Sequence, residues 1–329
     1  MIMAARFEPR FLKDRSPAAA TEYLRRFRRR HKLSIRRITH RGTKQRSDLE
    51  VVAASFGHSM RYAFEHDSAV SFVAGDEKYG QVFNMDQTSI YIDMNPTTTI
   101  TFRGDRNVDV LQGMSENSFR ASVFLCASAT GAKLCPLIVF SGTPGGPIEE
   151  ELHAHPLYSK EVFLAVQKKG YCDERVMHIW INEVWRPSVT SSRVLLLDSL
   201  KTHKMSSVRT ELEDSLSTEV EFIPPGITGL SQPMDVAVMR TFKMHCRSLY
   251  VKYHLTHDFC SSAAERRRLI TAIVVTAWSQ IDPSVIRKGF IKAGLVPVGP
   301  REKDGSFRID APSKDIDTGD EVDEDEESN

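Results

Sequence analysis

From Gln81 to Ile92 polar and apolar residues alternate, which predicts a strand with Asn84, Asp86 and Thr88 on one face and Phe83 and Met85 on the other. A second strand is predicted at Thr97 to Phe102, after the Asn95-Pro96 turn. Phe119 to Ala127 and Lys133 to Phe140 flank Ser128-Ala-Thr-Gly131 and read as a hairpin. Further on, Val194-Leu-Leu-Leu197 is a short unbroken apolar run, as expected of a strand buried on both faces, and Asp198 sits at its carboxyl end. Glu219 to Ile223 forms one more short strand, stopped by Pro224-Pro225-Gly226.

The remaining apolar spacing is helical. Ser16-Pro17 supplies an N-cap and a first helical residue for a helix with Tyr23, Leu24 and Phe27 on one side among Arg25, Arg26, Arg28, Arg29 and Arg30. Residues 41 to 48 break that pattern as a polar linker, and Leu49 to Phe64 reads as a helix bridging to the main domain. Asn182 to Pro187 closes another helix. Val236, Met239, Cys246, Leu249 and Tyr253 recur at helical spacing, so a long amphipathic helix begins near Asp235. Ser262 and Glu265 make a capping box for a helix running through Trp278. The order is an α/β one, three antiparallel strands followed by helices, without internal repeats.

Composition narrows the class. The 329 residues are 41% hydrophobic and 26% charged, which suits a globular protein with a substantial core. The longest apolar-leaning run, Leu269 to Trp278, is too short to span a bilayer, and Met1 to Arg10 lacks the pattern of a secretory signal. Five cysteines without a C-x-x-C pair suit reduced thiols. His153 and His155 have no partner at zinc-finger spacing and read as loop residues. Ser141 to Pro147 is glycine-rich but lacks the ending a phosphate-binding loop needs.

The net charge of +1 hides an asymmetry. Residues 1 to 46 hold fifteen Lys/Arg against three acids, whereas residues 313 to 329 hold nine acids against Lys314. A basic head points to a polyanion partner, and the acidic end reads as a solvated, disordered tail.

Asp198 carries the first chemical hint, because ligands in open α/β sheets collect beyond the carboxyl ends of strands. Taken singly, Asp86 and Asp198 read as well as turn or cap residues, and Asp235 as a first-turn acid complementing a helix dipole. Taken in order, the motifs are more specific. Asn84-Met-Asp86-Gln-Thr88, Gly131-Ala-Lys-Leu-Cys-Pro136-Leu-Ile, Leu195-Leu-Leu-Asp198-Ser-Leu-Lys-Thr-His203, and Pro224-Pro-Gly-Ile-Thr228-Gly-Leu-Ser-Gln232-Pro-Met-Asp235 with Phe242-Lys243 resemble the pogo/Tigger-type DDE superfamily endonuclease domain. The likeness ends in Trp278 and Phe290-Ile-Lys-Ala-Gly294. The stretch Tyr23 to His31 with Ile35-Arg36-Arg37 resembles the closing part of the centromere protein B-type helix-turn-helix that precedes this domain in the family; only its end is present.

The resemblance implies a ribonuclease H-like mixed sheet flanked by helices. It places Asp86 on the first strand, Asp198 after the fourth and Asp235 at a helix start, 37 positions beyond Asp198. These three would be catalytic and would bind Mg²⁺ or Mn²⁺, since two hard cations roughly 3.5–4 Å apart need oxygen ligands to clamp an in-line displacement at phosphorus. His203 either orients a water or phosphate or simply caps the next helix. Gln232 and Thr228 either contact DNA or, by preference, hold the loop presenting Asp235. Arg240, Lys243 and Arg247 form one helical stripe, solvated or in contact with phosphate. Arg25, Arg26, Arg28, Arg29, Arg30, Arg36, Arg37 and Lys243 are the expected nucleic-acid contacts.

The organisation that follows is a basic helical segment over 1–48, a helical linker over 49–79, the nuclease domain over 80–297 and an acidic tail over 298–329. The implied partner is DNA, in the nucleus, with no membrane and with a homo-oligomer on DNA as a further expectation. Departures from the family pattern at Ser199-Leu200 and Gly229-Leu-Ser231 remove no acid. They keep a second reading open, a domesticated nucleic-acid-binding protein of centromere protein B type that does not cleave.

Overall fold

The computed structural model describes residues 16–32, 46–91, 120–303 and 305–312, and the chain divides into two compact units, 1–45 and 46–329. The strand expected at Thr97 to Phe102, Arg36 and Arg37, and the acidic run from 317 to 327 lie outside the described residues.

In the smaller unit, α1 (Pro17–Arg30) begins where expected. Ser16 Oγ accepts the Ala19 N–H at 3.2 Å, satisfying one of the amides a helix start leaves unpaired, and a proline follows the cap. Arg28, Arg29 and Arg30 crowd its last turn, where cations complement the helix dipole.

The larger unit opens with α2 (Arg46–His66) and α3 (Gly75–Gly80). Neither is a mere connector. Leu49, Met60, Phe64, Val70 and Tyr79 are buried in the main core. Buried Glu65 accepts from Lys78 Nζ at 2.5 Å and from the Tyr79 hydroxyl at 2.8 Å. Beyond residue 298 the chain also reaches that core, with Phe307 buried and Arg301 stacked over its ring at 4.5 Å.

The sheet then unfolds in chain order as β1 (Val82–Tyr91), β2 (Arg120–Ser128), β3 (Leu137–Ser141), β4 (Phe163–Gln167), β5 (Arg193–Asp198) and β6 (Thr218–Ile223). Their spatial order is β4-β3-β2-β1-β5-β6. β2 runs antiparallel to both its neighbours, β1 and β3, while β5 joins parallel to β1 and β6 parallel to β5. β4 adds a parallel strand outside β3 that the residue pattern does not predict. Asp198 therefore ends the fifth described strand rather than following a fourth.

The helices interleave with these strands: α4 (Pro147–His153), α5 (Glu174–Trp180), α6 (Ser206–Leu216), α7 (Thr228–Ser231), α8 (Met239–His254), α9 (Ala263–Ser279) and α10 (Pro283–Lys292). Two π-helical turns, Ile181–Trp185 and Met234–Val238, extend α5 and precede α8. The capping box at Ser262 and Glu265 forms at the start of α9.

Strand alternation sorts the core into two layers. Val82, Ile90, Val194 and Leu196 face a layer with Met234, Val238, Phe242, Val274 and Phe290 from the C-terminal helices. Phe83, Met85, Leu195 and Leu197 face the opposite layer, with Trp180, Trp185, Val208 and Leu212. Period-2 geometry thus sends Asn84, Asp86 and Asp198 to the side of the sheet where α8 to α10 lie. Gly131 closes the β2 to β3 turn at a φ of +97°, and a β-carbon there would stand 2.7 Å from Pro283. Lys133 fixes the same corner: its ammonium donates to the carbonyls of Trp278, Ser279 and Ile281, each at 2.9 Å.

Candidate active site

Three segments meet on that face. β1 and β5 pair in parallel with Asn84 beside Leu196, so two residues further along each strand bring Asp86 and Asp198 to neighbouring positions on one face. Met234 N–H donates to Asn84 Oδ1 at 3.0 Å and sets the π-helical turn carrying Asp235 against β1.

The electrostatics follow from this crowding. Asp86 is only 6% exposed, and burial raises its pKa well above the carboxylate range, with the charges of Asp235 and Asp198 pushing the same way. Asp235 keeps solvent on one side, yet burial on the other raises its pKa too, with Lys243 and a hydrogen bond from Asp86 acting in opposition. Asp86 and Asp235 are close enough for the ionisation of each to bear on the other.

Each strand carboxylate also has one oxygen held. Asp86 Oδ1 accepts the Gln87 N–H at 2.7 Å. Asp198 Oδ1 accepts the Leu200 N–H at 3.3 Å and lies 2.5 Å from His203 Nδ1. That His203 contact is close enough for an ion pair but poorly aligned for a hydrogen bond, and Nε2 is buried with no partner among the described residues. Helix capping does not account for a ring so placed.

The donor set is carboxylate oxygen throughout, which fits a hard divalent cation, and gathered negative charge is what such a cation would relieve. The side chains do not close on one point as they stand: among the described residues no three His, Cys, Asp or Glu are spaced to hold a single ion. The chemistry of the set fits a hard divalent cation.

The other expected residues separate. Gln232 is 1% exposed and neither of its amide atoms has a hydrogen-bond partner among the described residues, so the loop-holding role finds no bond to act through. Thr228 starts the short α7. Arg240, Lys243 and Arg247 are exposed on α8, and of these Lys243 is felt by Asp235. Arg25, Arg26, Arg29 and Arg30 are exposed on α1, with Glu22 3.7 Å from Arg25 and 3.2 Å from Arg26. His153 stacks on Tyr158 and His155 accepts the Leu157 N–H, which gives each a local role. Cys172, which the residue pattern does not single out, lies close enough to Asp198 to feel its charge; burial, Asp173 and Asp198 together push its thiol up to about 12.

Comparison with known proteins bears on the family and the fold. Residues 118–290 match the family model of the DDE superfamily endonuclease, a stretch that includes Asp198 and Asp235 and begins after Asp86. A human protein described as a pogo transposable element with KRAB domain is 26% identical over 265 residues, covering 74% of this chain and 41% of that protein. The CENP-B homolog protein 2 of Schizosaccharomyces pombe is 22% identical over 222 residues, 65% of this chain and 41% of its own length. The chain thus spans less than half the length of these curated relatives. Among solved structures, the Mos1 mariner paired end complex with Mn superposes with a TM-score of 0.50 at 10% identity, over 83% of this chain and 67% of that one. Identity that low speaks to the fold, and the fold is ribonuclease H-like. On the span of the family match, this chain belongs to the DDE superfamily endonuclease family, with pogo-type proteins among its relatives.

Proposed function

We propose that this chain is a transposase-derived DNA endonuclease and strand transferase, with Asp86, Asp198 and Asp235 holding divalent metal. The observation that carries the reading is the convergence of three acids from β1, the end of β5 and the turn before α8 on one face of the sheet. Acids so gathered destabilise the protein by mutual repulsion, a cost that a purely structural role leaves unexplained.

Mg²⁺ or Mn²⁺ bound by the three would supply Lewis-acid activation of a water or a DNA 3′-hydroxyl and neutralise charge on the departing oxygen. The protein's own part is positioning. The Gln87 and Leu200 amides each fix one carboxylate oxygen, limiting rotation of Asp86 and Asp198. Buried His203 stands with Nδ1 2.5 Å from Asp198 Oδ1 and limits the room that carboxylate has to turn. Lys243 and its neighbours Arg240 and Arg247 present positive charge along α8 for phosphates approaching the acids. The exposed arginines of α1 supply sequence-independent affinity for the duplex. A DNA substrate goes with a nuclear site of action.

The test is nicking of supercoiled DNA by the purified chain with and without Mg²⁺ or Mn²⁺, alongside Asp198→Ala. Metal-dependent nicking that the variant lacks supports the reading, and equal nicking by both proteins overturns it. Salt-sensitive DNA binding with no metal-stimulated cleavage assigns the chain instead to the non-cleaving class.

A further inference from the structure

Asn84 lies two residues before Asp86 on the same face of β1 and is wholly buried. A primary amide in that position is costly unless its polar atoms are paired. Asn84 pairs both. Its Nδ2 donates to the Leu196 carbonyl at 3.0 Å and to the Met85 carbonyl at 3.2 Å, and its Oδ1 accepts the Met234 N–H at 3.0 Å.

Each of the three partners adjoins an acid in the chain. Leu196 stands two residues before Asp198, Met85 directly precedes Asp86, and Met234 directly precedes Asp235. The first two partners are carbonyls and the third is an amide. The side chain must therefore donate and accept at once, at one fixed reach. Aspartate lacks the donor, leucine lacks both, serine is too short to bridge, and glutamine is a methylene too long.

The Met234 amide sharpens the point. It belongs to the first turn of a helix, where N–H groups lack partners in the helix itself. The residue at the cap is Pro233, which offers no side-chain cap. Asn84 caps that turn from another strand, 150 residues away in sequence. The turn it caps is π-helical, a rare geometry that occurs mostly as single turns and often at functional sites.

We infer that Asn84 is the positioning residue of the acid cluster: one buried amide sets the spacing of Asp86, Asp198 and Asp235 by tying β1 to β5 and to the turn before α8. The part of this inference that concerns metal rests on the function proposed above.

The experiment uses Asn84→Leu, with the same branching and number of heavy atoms but without either polar group, and Asn84→Ser as the second variant should the leucine protein fail to fold. Thr218→Val, which removes the hydroxyl that Trp185 Nε1 bonds at 2.9 Å in the opposite layer, controls for general destabilisation. Two quantities are read. The first is amide hydrogen exchange of the peptide spanning Met234 to Val238, measured without metal. The second is Mn²⁺ affinity by electron paramagnetic resonance, for which wild type and Asp198→Asn set the scale.

Faster exchange at that turn in the Asn84 variant and not in Thr218→Val, together with Mn²⁺ binding weakened about 10-fold or more, is the expected result. Unchanged exchange at the turn overturns the inference, as does faster exchange with Mn²⁺ affinity within about twofold of a wild type that binds Mn²⁺ more tightly than Asp198→Asn does. If wild type and Asp198→Asn bind Mn²⁺ equally poorly while exchange at the turn still accelerates, the clamp stands and the metal reading falls.

Discussion

Gly289 of α10 meets Pro233 backbone to backbone: a β-carbon on the glycine would stand 2.8 Å from the Pro233 carbonyl oxygen and 3.3 Å from the Ala237 β-carbon. The turn that carries Asp235 is thus held on one side by Asn84 and on the other by α10. Replacing Gly289 by alanine gains helix propensity of about 1 kcal/mol, whereas overpacking against a backbone carbonyl costs about 1–3 kcal/mol. The carbonyl cannot swing aside as a side-chain tip would, so the collision wins. Gly289→Ala is expected to lower the urea midpoint by the equivalent of up to about 2 kcal/mol, and a midpoint above wild type would show that α10 slides freely on this turn.

Relieving the repulsion among the acids should stabilise the protein at the expense of function. Asp235→Asn removes a charge that raises the pKa of Asp86 while leaving a group able to hydrogen-bond it. Solvent on Asp235 screens the effect, so the gain without metal is about 1 kcal/mol or less. It should grow as pH rises, because protons relieve the repulsion at the acid end. Thermal melts with and without Mg²⁺ measure this, and the variant should lose any metal-dependent rise in Tm.

Glu221 on β6 gives the stability a pH dependence of its own. Burial first, and then the neighbouring Glu219, push its pKa up to about 7. An unfolded glutamate ionises near 4.3, so between these values the folded state holds a proton that the unfolded state releases. That contribution to stability is complete below the unfolded pKa and is lost as pH rises through about 7. Chemical denaturation at pH 5 and pH 8 should therefore find the protein weaker at pH 8, with Glu221→Gln flattening the difference by about 1–3 kcal/mol.

The α1 arginines are separable from the acids by their salt response. Changing Arg28, Arg29 and Arg30 together to glutamine should weaken duplex binding for every sequence alike. It should also reduce the slope of log K against log salt by roughly 0.9 for each phosphate contact removed. An unchanged slope would place the DNA contacts elsewhere.

What the residues disclose by themselves depends on whether the signal is local. β1 is legible because its two faces differ in polarity, and β5 because Val194 to Leu197 supplies both core layers at once. β4 is not, since five residues of Phe-Leu-Ala-Val-Gln are too few to show a period. α2 reads as a connector because Val51 and Val52 are exposed on it while Leu49 and Phe64 are buried, which blurs its apolar face. Asp86, Asp198 and Asp235 are legible as candidates through their motifs. The part played by Asn84 is not, because its partners at Leu196 and Met234 lie 112 and 150 residues away. Alternation reveals which way that side chain faces and nothing of what waits opposite. Cys172 near Asp198 leaves no trace in the pattern at all.

The middle place of β1 in the sheet bears on how this protein can be divided for study. A recombinant piece begun at residue 118, where the family match starts, would keep two of the three acids but omit the strand on which β2 and β5 both zip. Such a piece would expose two raw sheet edges and invite aggregation, so a lack of activity in it would say nothing about the intact chain. Expression boundaries belong ahead of Arg46, where the larger unit begins.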